Sequence, residues 1–338
     1  MTRLMDSCHR TIDYLRISIT DRCNLSCIYC TPANGVHWLP KDELLTYEEI
    51  TTIATVAAEL GITKVRLTGG EPLIRTDLPD LVARLAKMPS IKDISLTTNG
   101  ILLKQYAQQL KKAGLKRVNI SLDTLNRAKF QRIAGHDRLN DVLQGIEAAR
   151  KTGLNPVKIN VVALRGVNDD EILDFAQLTV NDGWHVRFIE LMPFVTDTCL
   201  EGCAGEGSDR LQGQFIAVSE IQERLSRLGA LEPAAYMKGN GPAKYFRLPR
   251  ASGTIGFISP VSQHFCENCN RLRLTADGKL RLCLFSDDEI DLRTPLRSGA
   301  PVDTIRKVII EAVKVKPSQH HLSQGMVPPK RFMSQVGG

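Results

Sequence analysis

The sequence predicts an α/β fold, a partial (incomplete) TIM-type barrel of about six βα units with a β-containing C-terminal extension. Strand and helix patterns alternate with short connections over the first 192 residues, which favours a parallel sheet. In five of the six predicted strands, one face is polar and the other is apolar. A sheet that is covered by helices on both faces should be apolar on both, so these strands are typical of a cavity wall.

The six strands follow from short runs that are rich in β-branched and apolar residues and bounded by turn residues. They are predicted at Tyr14–Thr20, Lys64–Thr68, Lys92–Thr98, Lys116–Leu122, Val157–Leu164 and His185–Leu191. Because crossover connections between parallel strands are right-handed, the candidate architectures are a barrel and an open doubly wound sheet.

The intervening helices follow from capping residues and glycine stops. Thr46 and Glu49 have the spacing of a capping box and begin a helix that ends at Gly61. Asn168 is predicted to cap the helix that precedes the sixth strand. Further helices are predicted near Leu78–Met88, before Gly114, in two stretches before Gly153, at Ser219–Leu228 and at Pro301–Lys314.

Side-chain parity separates the two candidate architectures, because successive strand residues face opposite sides. The polar face carries Arg16 and Ser18, Arg66 and Thr68, Ser95 and Thr97, Asn119 and Ser121, and Lys158 and Asn160. The sixth strand fits this pattern less well, since Arg187 and Glu190 have opposite parity. We therefore predict a curved, partial barrel whose lumen holds the active site.

Composition and charge exclude several classes of protein. Hydrophobic content of 43% and charged content of 24% are ordinary for a soluble globular protein, and no apolar run approaches the length of a membrane span. Nine cysteines and an N-terminus without a signal-like pattern predict a reducing compartment, the cytoplasm, and metal ligation in place of disulfides. The net charge of +7 permits an anionic substrate without requiring nucleic acid.

The character of the sequence changes near residue 193, which predicts a division into residues 1–192 and residues 193–338. Thr196–Gln214 is polar and glycine-rich without periodicity, and we expect a mobile loop in which Cys199 and Cys203 are bystanders. The stretch from about Thr254 to Phe285 is rich in β pattern.

Two sets of three cysteines carry the candidate chemistry. Cys23, Cys27 and Cys30 follow the first strand, at the end of the sheet where α/β proteins place their sites. Three thiolates suit an iron–sulfur cluster with one open iron, whereas a structural zinc site needs four ligands. The second set is Cys266, Cys269 and Cys283. For this second set, a Cys3His zinc site that includes His264 is an alternative.

Several of these segments resemble a known family. CNLSCIYC, Cys23–Cys30, resembles the cluster loop of radical S-adenosylmethionine (SAM) enzymes, and TGGEP, Thr68–Pro72, resembles their glycine-rich segment. More narrowly, nearly the whole chain resembles the GTP 3′,8-cyclases of molybdenum cofactor biosynthesis. The segments that carry this resemblance are YLRISITDRCNLSCIYC, VRLTGGEPLIR, LTTNG, VNISLDTL, VKINVV, RFIELMP, FCENCNRLRLTADGKLRLCLF and the final GG.

The resemblance implies two [4Fe–4S] clusters, one on each cysteine set, with SAM at the first and GTP at the second. It implies that reductive cleavage of SAM gives a 5′-deoxyadenosyl radical, which removes hydrogen from C3′ of GTP. The carbon radical would then attack C8 of guanine. The expected product is (8S)-3′,8-cyclo-7,8-dihydroguanosine 5′-triphosphate, formed in the first step of molybdenum cofactor biosynthesis.

The resemblance also assigns site residues. The residues implied to bind SAM are Tyr29, Gly70, Ser121 and Met192. The residues implied to bind GTP are Arg16, Arg66, Thr97, Lys158, Arg271 and Arg273. The absence of a P-loop pattern agrees with phosphates that are held by side chains. Gly70 is expected to let the backbone approach the ligand, and the terminal Gly337 and Gly338 are expected to enter the barrel and act there through backbone N–H groups.

The implied partners are GTP, a reductant such as flavodoxin or ferredoxin, the cyclic pyranopterin monophosphate synthase that takes the product, and a second copy of the chain in a homodimer. Two other classes of function are weighed. A radical SAM enzyme with an auxiliary cluster that acts on a peptide or protein would share the first motif without needing the cationic face. A zinc or electron-carrier protein would contain two metal sites without catalysis.

Overall fold

The computed structural model describes residues 3–31, 36–194, 213–234, 241–320 and 331–337. Cys199, Cys203, Gly338 and nearly all of the predicted loop Thr196–Gln214 lie outside these residues. The six predicted strands are confirmed close to their expected bounds. They are β1 (Tyr14–Ser18), β2 (Lys64–Thr68), β3 (Asp93–Thr98), β4 (Arg117–Ser121), β5 (Val157–Ala163) and β6 (His185–Glu190).

The C-terminal region contributes further strands to the same sheet. They are β7 (Glu232–Pro233), β8 (Lys244–Arg247), β9 (Thr254–Ile258), β10 (Arg271–Leu274), β11 (Lys279–Arg281) and β12 (Glu289–Asp291). The strand order is β12-β11-β10-β1-β2-β3-β4-β5-β6-β9-β8-β7. In the described chain this parallel-rich sheet is not closed: β10 pairs in parallel with β1 at one end, and β9 pairs in parallel with β6 at the other. The segment 259–270 therefore connects the two ends of the parallel run, and it carries Cys266 and Cys269.

The predicted helices are present between the strands. They span Tyr47–Glu59, Leu78–Ala86, Leu103–Ala113, Arg127–Ala134, Leu139–Lys151 and Ile172–Asn181, followed by Val218–Leu225 and Val302–Lys314. Two short helices, Arg293–Arg297 and Met333–Val336, were not predicted. The capping box is confirmed, because Thr46 Oγ1 accepts from Glu49 N and Glu49 Oε2 accepts from Thr46 N. Within the described residues, no helix has the length and apolar character that a membrane span requires.

The predicted cap at Asn168 is wrong. A 3-10 turn, Asp169–Glu171, precedes the helix, and the Asn168 side chain forms no cap hydrogen bond. Its Nδ2 donates to the carbonyl oxygens of Asp123 and Val162, and its Oδ1 accepts from Leu164 N. The side chain is therefore used to join the ends of β4 and β5.

The two faces of the sheet differ as parity predicts. The apolar face packs against the helices, and its side chains are almost fully buried; they include Ile17, Leu67, Leu96, Ile120 and Ile159. On the polar face, Arg16 lies in register with Arg66 on one side and with Arg273 on the other. In β6, Arg187 lies in register with Asn160 and lines the lumen, so this strand also presents a cation to the cavity.

Candidate active site

One cavity is lined by both cysteine sets. Its wall includes Cys23, Cys27, Cys30, Cys266, Cys269 and Cys283, and all six thiols are free. The loop after β1 supplies the first three, while the segment between β9 and β10 and the end of β11 supply the others. Six free thiols in two groups of three, in a chain without disulfides among its described residues, fit two thiolate-ligated clusters.

The first cysteine set lies in a largely apolar environment. Burial raises the pKa of Cys23 to about 11, and it raises the pKa of Cys27 well above its ordinary value. The turn is held by a hydrogen bond from Cys30 N to Cys27 O of 2.9 Å. Buried thiols of this kind ionise when a metal binds them, so the donor set suits a metal and disfavours a free reactive thiol.

Gly70 lines the cavity, and it also supports the cysteine loop. A Cβ at Gly70 would lie 2.3 Å from the carbonyl oxygen of Arg22, the residue before Cys23. The missing side chain therefore makes room for the backbone of the cysteine loop. The next residue, Glu71, is buried and accepts hydrogen bonds from Leu73 N and Asn99 N, which ties the loop after β2 to the loop after β3.

The other residues assigned to SAM lie on the same cavity wall, and they are Tyr29, Ser121 and Met192. Tyr29 is more than a packed aromatic ring: its hydroxyl donates to Asp123 Oδ2 at 2.5 Å. Asp123 also accepts from Val162 N at 2.8 Å, and burial raises the pKa of this carboxyl to about 6. Asp123 was not predicted as a site residue, although its position just after β4 and Ser121 is a usable signal.

Three arginines stand side by side across the lumen. Arg273, Arg16 and Arg66 occupy one register row of β10, β1 and β2, and adjacent strands lie about 4.8 Å apart. Arg66 Nε donates to Ser95 Oγ at 3.2 Å. Arg271 lies two residues before Arg273 on the same face, and all four guanidinium groups line the cavity.

The electrostatics of this row favour a polyanion. Burial and the charge of Arg273 lower the pKa of Arg16 well below its ordinary value. Burial is also the main reason why the pKa of Arg66 falls to about 10 and that of Arg273 to about 9. Desolvated like charges are stabilised by a bound anion, and guanidinium groups match the geometry of phosphate oxygens.

Thr97 and Lys158 have different positions. Thr97 lines the cavity, and its Oγ1 accepts from Asn119 Nδ2 at 3.4 Å. Lys158 lies deeper, near the start of β5, with its ammonium group 5.0 Å from the centroid of the Tyr245 ring. Burial, and then the charge of Arg187, lower the pKa of Lys158 to about 6. In the described chain Lys158 does not form part of the cavity wall that contains the other assigned cations.

Buried polar atoms on the wall indicate a polar ligand. The hydroxyl of Tyr14, Oδ1 of Asn160 and Nε of Arg187 are buried and have no hydrogen-bond partner among the described residues. All three residues line the cavity. Because an unsatisfied buried polar atom is costly, these atoms are expected to bond to a ligand that enters the lumen. Arg187 was missed as a site residue because the parity of β6 was ambiguous.

The second cysteine set is surrounded by cations. Burial opposes ionisation of Cys269, but Arg271 and Lys316 outweigh it and lower the pKa of this thiol to about 7. The Arg271 guanidinium also lies 5.0 Å from the centroid of the Phe265 ring. A cationic, partly aromatic surrounding of this kind suits a ligand with both a planar ring and negative charge.

The zinc alternative for the second set is not favoured. Nδ1 of His264 lies 3.0 Å from Nε2 of His320, so this imidazole is used in a pair of histidines. Across the described ranges, no three His, Cys, Asp or Glu side chains are close enough together to hold a single metal ion. A cubane cluster holds its thiolates farther apart than a single zinc ion does.

The C-terminal tail enters the lumen. Gly337 has a φ of 77°, and a Cβ there would lie 2.4 Å from Thr68 Oγ1. Its carbonyl oxygen accepts from Arg16 at 2.9 Å and from Arg273 at 3.3 Å. Its N–H donates to Met333 O within the preceding helix. The expected contact through this N–H group is therefore replaced by a contact through the carbonyl oxygen, while Gly338 lies outside the described residues.

Glu190 was also missed, because a carboxylate at the end of a strand gives no pattern. It is fully buried, and its oxygens accept from the backbone N–H groups of Val218, Val261 and Ser262. Glu190 therefore anchors the segment that carries Cys266 and Cys269 to the end of β6.

Comparison with known proteins agrees with this architecture. The model of the Radical SAM superfamily matches residues 17–179, and that of Molybdenum Cofactor Synthesis C matches residues 184–322. A GTP 3′,8-cyclase of Moorella thermoacetica is 51% identical over 335 residues, covering 99% of this chain and 100% of the relative. A GTP 3′,8-cyclase of Pelotomaculum thermopropionicum is 49% identical over 336 residues, with coverage of 99% and 100%.

Solved structures share the fold at low identity. The structure of Streptococcus suis SuiB bound to the precursor peptide SuiA has a TM-score of 0.62 and 14% identity, and the match covers 91% of this chain and 65% of that chain. Another structure of SuiB has a TM-score of 0.59 and 15% identity, with coverage of 90% and 66%. At these identities the likeness concerns the fold alone.

Proposed function

We propose, from the premise that this chain belongs to the radical SAM family of GTP 3′,8-cyclases, that it converts GTP to (8S)-3′,8-cyclo-7,8-dihydroguanosine 5′-triphosphate with SAM as the source of the radical. The single observation that carries the proposal is the shared cavity. Two sets of three cysteines and a row of buried arginines face the same space, so a radical source and a triphosphate can be held together.

The cysteines are proposed as cluster ligands, because their number and burial suit [4Fe–4S] clusters. The first set, Cys23, Cys27 and Cys30, would hold the cluster that binds SAM, and the second set, Cys266, Cys269 and Cys283, would hold the cluster beside GTP. When bound, the clusters and SAM supply the electron and the radical that removes the C3′ hydrogen of GTP.

The chain's own residues bind and orient the substrates. Arg16, Arg66 and Arg273 are proposed to hold the triphosphate, with Arg271 beside them and Thr97 on β3, the strand next to β2. We propose that Tyr29, Gly70, Ser121 and Met192 form the SAM site. Lys158, which does not line the cavity, is proposed to contribute to GTP binding by taking up positive charge when the triphosphate enters, since burial and Arg187 lower its pKa to about 6 in the empty site. Gly337 and Gly338 are proposed as the catalytic tail, since the Gly337 carbonyl oxygen holds two guanidinium groups within the lumen.

Further proposals follow from the family. The chain would work in the cytoplasm as a homodimer, take electrons from flavodoxin or ferredoxin, and pass its product to cyclic pyranopterin monophosphate synthase. Residues 1–192 would form the radical SAM barrel and residues 193–338 the region of the second cluster. Action on a peptide or protein is not favoured, because the full-length relatives are named GTP 3′,8-cyclases.

The test is anaerobic incubation of the reconstituted chain with SAM, GTP and dithionite. We expect 5′-deoxyadenosine and a cyclised nucleotide in equal amounts, and about eight irons per chain if both cysteine sets hold cubanes. Incubation with ATP in place of GTP is the control that tests whether the guanine base is required for cyclisation. Formation of 5′-deoxyadenosine without any cyclised nucleotide in the presence of GTP would contradict the proposal.

A further inference from the structure

The segment before β1 reaches the second cysteine set. Arg10 is buried, and its guanidinium group donates to three carbonyl oxygens, those of Cys266 at 2.9 Å, Ser318 at 2.8 Å and Pro317 at 2.7 Å. Its Nε donates to Asp6 Oδ2 at 2.6 Å, and Asp6 is buried as well. The planar guanidinium group of Arg10 thus joins the segment before β1 to the backbone of Cys266, a proposed cluster ligand.

A second buried cation, Lys316, contacts the backbone on the other side of the second cysteine set. Lys316 is only 3% exposed, and its ammonium group donates to the carbonyl oxygens of Arg271 and Leu282. Leu282 immediately precedes Cys283, and Arg271 follows Cys269 by two residues. Arg10 and Lys316 therefore hold the backbone on both sides of the three cysteines.

Among the described residues, the charges around Arg10 and Lys316 do not balance. Of the carboxylates that the structure describes, Asp6 is the one that forms an ion pair with either cation. Buried charges are stable when they are paired, so two cations with one carboxylate leave one positive charge to be matched. A cluster on three thiolates is negatively charged and lies in the right place to match it.

We propose that Arg10 and Lys316 are positioning residues that fix the loops of the second cysteine set and raise the reduction potential of the cluster held there. This inference rests on the proposed function only in that the second set holds a cluster. Positive charge stabilises the reduced, more negative form of a cluster, whereas a neighbouring carboxylate destabilises it. Arg10 and Asp6 should therefore act on the potential in opposite directions.

The experiment is a redox titration of the second cluster, followed by electron paramagnetic resonance without SAM or GTP. The full chain is reconstituted anaerobically, and Cys269→Ala identifies the signal by its loss. We expect a more negative potential in Arg10→Gln and Lys316→Met and a more positive potential in Asp6→Asn. Arg10→Lys should keep the reduction potential near that of the wild type. It should retain iron about 10-fold less tightly, because a lysine ammonium group cannot reproduce the planar set of hydrogen bonds that the guanidinium group donates.

Two exposed residues supply matched controls. Arg3 lies in the same N-terminal segment, and Lys314 lies two residues before Lys316 with 59% of its side chain exposed. Arg3→Gln and Lys314→Met should leave potential and iron content unchanged. If Arg10→Gln fails to retain the cluster, the inference is tested by Lys316→Met and Asp6→Asn, whose reduction potentials should shift in opposite directions.

Potentials that move in the same direction in Lys316→Met and Asp6→Asn, or that do not move at all, would overturn the inference. The outcome is distinct from that of the proposed function. Opposite shifts in a chain that forms no cyclised nucleotide would remove the cyclase proposal and leave this one standing. Unchanged potentials in a chain that does form the cyclised nucleotide would remove this inference and leave the cyclase proposal standing.

Discussion

The two cysteine sets present the same ligands in opposite surroundings. Around the first set, burial raises the pKa of Cys23 to about 11, and burial, then the neighbouring Cys30 and Asp123, raise the pKa of Cys27 well above its ordinary value. In the second set, Arg271 and Lys316 outweigh burial and lower the pKa of Cys269 to about 7, whereas burial raises the pKa of Cys266. The second set therefore has cations beside Cys269, while the first set has Asp123 nearby and, among the described residues, no cation that lowers the pKa of its thiols.

This difference indicates that the charged residues around a cluster motif, more than its cysteine ligands, distinguish the function of one cluster from that of the other. A cluster without neighbouring cations is harder to reduce and hence a stronger reductant, which suits the cleavage of SAM. A cluster among cations suits a neighbouring anion, and the arginine row supplies further positive charge for a triphosphate. The following predictions test this contrast.

The largest effect is expected from removing one ligand of each set. Cys27→Ala should abolish formation of 5′-deoxyadenosine, because the cluster that reduces SAM is lost. Cys269→Ala should preserve SAM cleavage and stop the cyclisation of GTP. Chromatographic assay of both products distinguishes the two variants. A Cys269→Ala chain that forms the cyclised nucleotide at the wild-type rate would show that the second set does not serve the substrate.

The tail is expected to have the next largest effect. A chain ending at Val336 should keep both clusters and its affinity for GTP but lose nearly all cyclisation, because the contact from the Gly337 carbonyl oxygen to Arg16 and Arg273 is lost. Gly337→Ala should act similarly, since its Cβ would overlap Thr68 Oγ1. Iron content and GTP affinity are the controls, and full activity of the truncated chain would contradict a catalytic role of the tail.

The arginines should affect binding without affecting the radical source. Arg271→Ala or Arg273→Ala should weaken GTP binding by about 1.5–3 kcal/mol, the usual contribution of a hydrogen bond to a charged group. This corresponds to roughly one to two decades in affinity. Calorimetry measures the effect, and SAM cleavage in the absence of GTP is the control. Equal affinities of the wild type and the double variant would remove these residues from the GTP site.

The smallest effect is expected at Gly70, on the side of the first set. Gly70→Ala forces its Cβ against the Arg22 carbonyl oxygen and should lower stability by about 1–3 kcal/mol, with slower SAM cleavage. Thermal unfolding measures the stability. Gly166→Ala is the comparison, because no atom lies within 4 Å of its Cβ position and only its left-handed backbone is strained. An unchanged melting temperature in Gly70→Ala would contradict the packing role.

The sequence predicted the features that depend on local periodicity. Alternation in β1 to β5 identified the polar wall, and the spacing of cysteines identified both metal sets. The pairing of β9 and β10 with the ends of the barrel was not predicted, because no local pattern encodes a partner that lies far along the chain. Arg10, Lys316 and Glu190 were missed for the same reason, since each acts on backbone that is distant in sequence. Asn168 was misread because a capping residue and a buried amide look alike in sequence.

The pairing of β1 with β10 has a consequence for the order of assembly. Asn270, just before β10, donates to Asp13, which lies 257 positions earlier and just before β1. During synthesis, one edge of β1 therefore stays unpaired until β10 has been made. Contacts of such long sequence separation form late because of their loop-closure entropy. Iron delivery to the second cysteine set should accordingly follow synthesis of β10 and β11, whereas the first set is translated long before these strands.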